Sequence, residues 1–294
     1  MKSLDPDAVE WSRMAEPQEG GYDTKVALAL AASTPSPLRS GSYVRRLAGG
    51  APTICEGQVA VRHLEQTEMS PPDFTPAPPD HPNLLKAVEY LRRWPAAYEQ
   101  FIALIDTVHP CLDARIKPEH RELSVGSSSH SHEQWLGALC VTVDHPFGCA
   151  QGLIRETARQ KLRALGVSTE RAWRLIGNDP SALYPSPIHP GQSWPMTAAL
   201  HAAYSLACVV ELDMRVLESE AGLLEARDQI LQLLIRNAVR MEACCDTLAR
   251  YVETDADGDT FMKAFLDWAG RATVRAYTLL DENGYETRLP ATAR

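Results

Sequence analysis

The chain has 294 residues, 45% of them apolar and 23% charged, a globular composition with enough length for one large or two smaller hydrophobic cores. Disorder throughout, a collagen-like fibre and a disulfide miniprotein are excluded. The 38 acidic and 29 basic side chains leave a net charge of -9, which opposes a phosphate backbone over most of the surface and argues against a nucleic-acid partner.

The opening MKSLDPDAVEW places acids and a proline where an export signal would be cationic and then apolar. The seven cysteines are odd in number and form no pair of CxxC motifs, so reduced thiols and a cytoplasmic location are expected. Eleven of the 21 prolines fall before residue 84, and residues 70–82 (SPPDFTPAPPDHP) cannot hold a helix. Residues 1–82 therefore read as a Pro-rich appendage and strap, and residues 83–294 as the main domain.

From Asn83 onward apolar residues recur at helical spacing. Leu84, Leu85, Val88 and Leu91 make one stripe, and Phe101, Leu104, Ile105 and Val108 another, with Pro95 suited to the first turn of the second helix. Residues 135–143 (WLGALCVTV) suit one buried strand. A helix over 151–165 is stopped by Gly166, and Ser168 is placed to cap a shorter one over 170–176. Residues 178–194 are irregular, and three long helices are expected near 195–220, 224–252 and 260–281. The longest apolar run, 196–212, carries His201, Ser205 and Glu211 and is short for a bilayer, so it reads as a core helix and no membrane partner is expected. The fold expected is mainly α, a helical domain with a short buried strand or small sheet.

Three side-chain groupings invite chemistry. SSSHSHEQW brings His130, His132 and Glu133 near a strand that ends before His145, and imidazoles two apart on an extended chain share a side, as metal ligands require. A polar loop entering a strand is the plainer reading. Asp255, Asp257 and Asp259 lack the glycine and glutamate positions of a calcium loop and read as a helix cap. Cys244 and Cys245 point about 100° apart on a helix and read as structural. No GxGxxG, Walker A or GxSxG motif occurs, which sets aside dinucleotide folds, P-loop enzymes and α/β-hydrolases.

The stretch Leu153-Ile154-Arg155-Glu156-Thr157-Ala158-Arg159 has the frame of an HExxH helix with arginine at both histidine positions. On helical spacing alone, Ile154, Ala158, Leu162 and Leu165 form the buried stripe, Arg155 and Arg159 its edge, and Glu156 faces farther out. An arginine pair on such an edge is either a solvated rim or a fork for carboxylates and phosphates.

With its flanks, the stretch resembles the HExxH-type peptide β-hydroxylases, iron- and 2-oxoglutarate-dependent tailoring proteins of ribosomally made peptides. The resemblance covers about residues 84–287. It rests on the ordered blocks 85–94, 135–142, the RExxR helix, Tyr184-Pro185-Ser186-Pro187 through Pro195, Leu200-His201-Ala202-Ala203-Tyr204, and Asp267-Trp268 onward. It implies that Arg155 and Arg159 occupy the metal-ligand positions, Glu156 that of the intervening carboxylate, Ile188 or His189 a Trp-Arg region, and His201 a glutamine-like position. A guanidinium has no lone pair for iron, so the inherited motif holds no metal.

The resemblance then implies a diverged tailoring protein of modified-peptide biosynthesis that binds a peptide or small anionic ligand. Arg155, Arg159, His189 and Tyr204 are its expected contacts, and Glu156 and His201 its expected catalytic groups if chemistry survives. A partner protein or a homo-oligomer is possible. Two alternatives stand beside it. One is a non-haem metal oxygenase using Fe(II) and 2-oxoglutarate, its site rebuilt from His130, His132, His145, His189, His201 and Glu156. The other is a metal-free helical interaction protein.

Overall fold

The computed structural model describes residues 9–33, 52–64, 73–131, 136–219 and 226–285. Mainly α with a small mixed sheet, as the pattern predicts, the described residues form seven α-helices and eight short strands. They fall into two compact units, Glu19–Lys161 and a second built from the chain on either side of it.

Within Glu19–Lys161 the order is α1 (Tyr22–Ser33), β1 (Thr53–Ile54), β2 (Val59–Val61), β3 (Phe74–Pro76), α2 (Pro82–Leu91), α3 (Pro95–Leu104), β4 (Thr107–Asp113), β5 (Ser129–His130), β6 (Ala138–Thr142) and α4 (Pro146–Ala164), whose last turn lies past Lys161. Sheet order is β1-β2-β4-β6-β5, with β3 beside the second half of β4. Strands β2, β4 and β6 are parallel, while β1, β3 and β5 run antiparallel to their neighbours.

Proline and the His81 ring start α2 together: Pro82 occupies the first turn and His81 Nδ1 accepts the Asn83 N–H at 3.3 Å. Leu84, Val88 and Leu91 are buried as the spacing predicts, but Leu85 is 50% exposed. Helix α3 ends at Leu104, because Ile105 is extended, and the apolar spacing that continued to Val108 enters β4 instead. Pro110 sits inside this central strand without loss. Its flank passes there from β2, paired at Thr107 and Val108, to β3, paired from Cys111, so no donor is needed at that point, and its carbonyl accepts from the Ala77 N–H.

The compact units do not divide at residue 82. Residues 52–76 supply β1 to β3, and Val26, Ala27 and Leu30 of α1 are buried. Strands of two or three residues are too short to show a period, and they are held by pairing, β2 and β3 with β4 and β1 with β2. Residue 135, the start of the expected strand, lies outside the described residues; β6 itself is buried throughout.

In the other unit, β7 (Tyr184–Pro185) and β8 (Ser193–Trp194) pair antiparallel, followed by α5 (Met196–Glu218), α6 (Arg227–Tyr251) and α7 (Ala256–Glu282). Helix α5 packs on α6 and α7, and a short 3-10 helix, Trp11–Met14, packs on α7. Asp255 caps α7 by accepting the Gly258 N–H at 2.7 Å, so the helix begins at Ala256, four residues before its expected start. The helix expected over 170–176 does not form. Ser168 instead bonds both main-chain groups of Arg171, and Leu175 is left-handed at φ 71°, with its N–H donated to Asp255. No described helix is long and apolar enough to cross a membrane.

Candidate functional site

Helix α4 presents Gly148, Gly152 and Glu156 at intervals of four residues, hence on one face. A Cβ on Gly148 would lie 2.6 Å from the Val125 carbonyl oxygen, and one on Gly152 would lie 2.6 Å from Val141 Cγ2 and 3.4 Å from Ser129 Cβ. The glycines let the segment 125–131 lie directly on the helix. Extended chain alternates its side chains, so Ser127, Ser129 and Ser131 all reach α4.

Their hydroxyls meet the charged motif in order. Arg155 Nη2 donates to Ser127 Oγ at 2.8 Å, Ser129 Oγ donates to Glu156 Oε1 at 2.8 Å, and Ser131 Oγ donates to Glu156 Oε2 at 2.6 Å. Arg159 Nη1 donates to Glu156 Oε1 at 3.1 Å; its side chain is 32% exposed and that of Glu156 0%. Burial by itself raises the Glu156 carboxyl, but the Arg159 charge, the Ser131 and Ser129 hydroxyls and the Arg155 charge outweigh it and hold the group below its ordinary value. Glu156 is thus an ionised buried carboxylate rather than the outward-facing residue that helical spacing predicts. The segment and the arginines shield it.

The arginines are half-buried and hydrogen-bonded, not a rim in bulk water. Of the remaining expected site residues, His130 lies on β5 opposite Cys140, on the sheet face away from α4. His145 precedes the first turn of α4, where its Nδ1 accepts the Gly148 N–H at 3.4 Å and burial lowers its pKa. His132 and Glu133 lie outside the described residues. Among the described residues, no three His, Cys, Asp or Glu side chains are grouped to hold a metal ion.

His189, His201 and Tyr204 belong to the other unit. His201 is buried and its Nε2 bonds the Val167 carbonyl at 2.9 Å, which fixes the turn after α4. Tyr204 is fully buried among Phe261, Phe265 and Trp268, with ring centroids 5.5 to 6.2 Å away, so its ring is core rather than a ligand contact. His189 is exposed in the β7–β8 turn, edge-on to Trp194 at 5.5 Å. The structure therefore joins Arg155, Glu156 and Arg159 to one another.

The signal in the sequence that marks the serine row is its period of two, Ser127, Ser129 and Ser131, the same period that His130 and His132 carry. No family model matches the chain, and no curated protein matches it.

Proposed function

We propose that this chain is a diverged protein of the HExxH-type peptide β-hydroxylase kind that binds an anionic group, on a peptide or small molecule, through Arg155 and Arg159. The observation that carries the reading is the pair of half-buried guanidiniums one turn apart, buttressed by Ser127 and by the ionised Glu156. Cations held in place by second hydrogen bonds lose little freedom when they take a carboxylate or phosphate.

The donor set does not fit iron. Guanidiniums offer no lone pair, and both oxygens of Glu156 already accept from serine hydroxyls. The role read for this site is therefore binding. A cytoplasmic location agrees with seven cysteines of which none is in a disulfide.

Titration of the full chain with succinate, with metal analysis of the same preparation, tests the reading. Binding is expected to weaken about tenfold or more in the variant carrying Arg155→Ala and Arg159→Ala, the usual size of a lost charge-assisted contact. Stoichiometric iron with 2-oxoglutarate turnover would overturn it.

A further inference from the structure

Among the described residues, strand β5 is an edge of the sheet. In an antiparallel pair, alternate residues direct both main-chain groups toward the partner strand. Thr142 N–H donates to the Ser128 carbonyl at 3.0 Å, so Ser128 and, two residues on, His130 face β6. The N–H and C=O of the intervening Ser129 point the other way, and no protein group among the described residues meets them.

Helix α4 reports the same direction from below. Successive residues advance about 100°. Gln160, about 40° to one side of Glu156, bonds the Gly137 N–H and the Ala138 carbonyl and so faces β6. Arg159 and Arg155 lie about 60° and 100° to the other side. With Glu156 under β5, both guanidiniums lie on the side away from β6, where a further strand would run.

We infer that the open edge of β5 takes an extended peptide as an added strand, with acidic side chains at alternate positions reaching Arg155 and Arg159. The inference rests on the anion-binding reading above and deepens it. A strand about 4.8 Å beyond β5 turns every second side chain toward α4. Main-chain bonds to Ser129 supply affinity independent of sequence, and the guanidiniums select carboxylates. Exposed edges attract partners unless covered or charged against them, and the charge beside this one is positive, which favours an acidic strand.

The experiment is titration of the full chain with the peptide acetyl-Thr-Glu-Thr-Glu-Thr-amide, its version with lysine for glutamate, and two versions methylated on the main-chain nitrogens of either the threonines or the glutamates. The acidic peptide is expected to bind at least about tenfold more tightly than the lysine peptide. One methylated version, and only one, should lose binding, because only alternate N–H groups face β5. Slowed amide exchange at Ser129 should accompany binding.

If both methylated peptides bind like the parent, or succinate binds and the peptide does not, edge pairing is wrong while the anion site stands. If lysine and glutamate peptides bind alike and Arg159→Ala changes nothing, the anion site fails and this inference with it. A dimer of the chain that the peptide cannot dissociate would also overturn it, the occupant then being a second copy. The peptide arms use the native chain and need no variant to fold.

Discussion

Helix α4 carries two carboxylate–cation contacts on different sides, and they differ in how much water they keep. Lys161 Nζ lies 2.6 Å from Asp23 Oδ2 on α1, and both side chains are 0% exposed. Gln100 Nε2 donates to the same oxygen at 2.6 Å. In the second contact Glu156 is equally dry, but Arg159 is 32% exposed. A closed pair with every group inside the protein can only be architecture. A pair whose cation reaches solvent still has a face with which to meet a ligand, and the difference between the two contacts separates structure from recognition on one helix.

The sharpest way to break this contrast is Lys161→Met. Removing one partner of a dry pair strands the other, so a loss of about 3–5 kcal/mol is expected in urea unfolding. Adding Asp23→Leu should recover part of it, because an apolar pair of similar volume replaces both charges while the buried Gln100 loses one acceptor. A double variant no more stable than the single one would mean that Asp23 does not depend on Lys161.

Gly152→Ala tests the close approach that brings the serines to α4. The new Cβ would lie 2.6 Å from Val141 Cγ2, and about 1–3 kcal/mol of strain should exceed the gain of up to about 1 kcal/mol from alanine's helix propensity. Gly270→Ala on α7 is the control: a Cβ there meets nothing within 4 Å, and the change should stabilise by up to about 1 kcal/mol.

What could be read in advance follows from length. Helices α5 to α7 span 23 to 27 residues, long enough for the 3.6-residue period and the Asp255 cap to reveal them. Strand β4 was hidden because its first residues continue the apolar spacing of α3, and β1 and β5, two residues each, have no pattern to read. The Lys161 and Asp23 pair joins residues 138 apart, so neither carries a local sign of its partner. For Glu156 the sequence was misleading: a glutamate beside an apolar stripe looks outward unless the chain that covers it is known. Arg155 and Arg159 were legible as a pair, whereas the serines that position them became visible only once segment 125–131 was seen lying on α4.

Glu156→Gln sharpens the comparison by pH. Its folded-state pKa lies below the unfolded value, so its stabilisation is present above about pH 4.3 and is lost as pH falls through the folded value. The variant is expected to lose about 1–2 kcal/mol at pH 7 and progressively less as the solution is acidified. Unfolding curves measured between pH 7 and pH 3 should therefore converge. Parallel curves would show that the fold does not lower the pKa of this carboxyl.

The smallest effect should come from the wet end of the same row. Ser127 bonds Arg155, a half-buried cation with access to water, so Ser127→Ala should cost about 0.5 kcal/mol or less. Ser131 is buried and bonds the dry carboxylate at 2.6 Å, and its loss leaves a charge under-satisfied where water cannot substitute, costing about 1.5–3 kcal/mol. The two serines differ by four positions on one extended segment and make bonds of similar length. One accepts from a cation that water can reach and the other donates to a carboxylate that it cannot, so equal costs in urea unfolding would remove water access as the feature that distinguishes the arginine side of α4 from its lysine side.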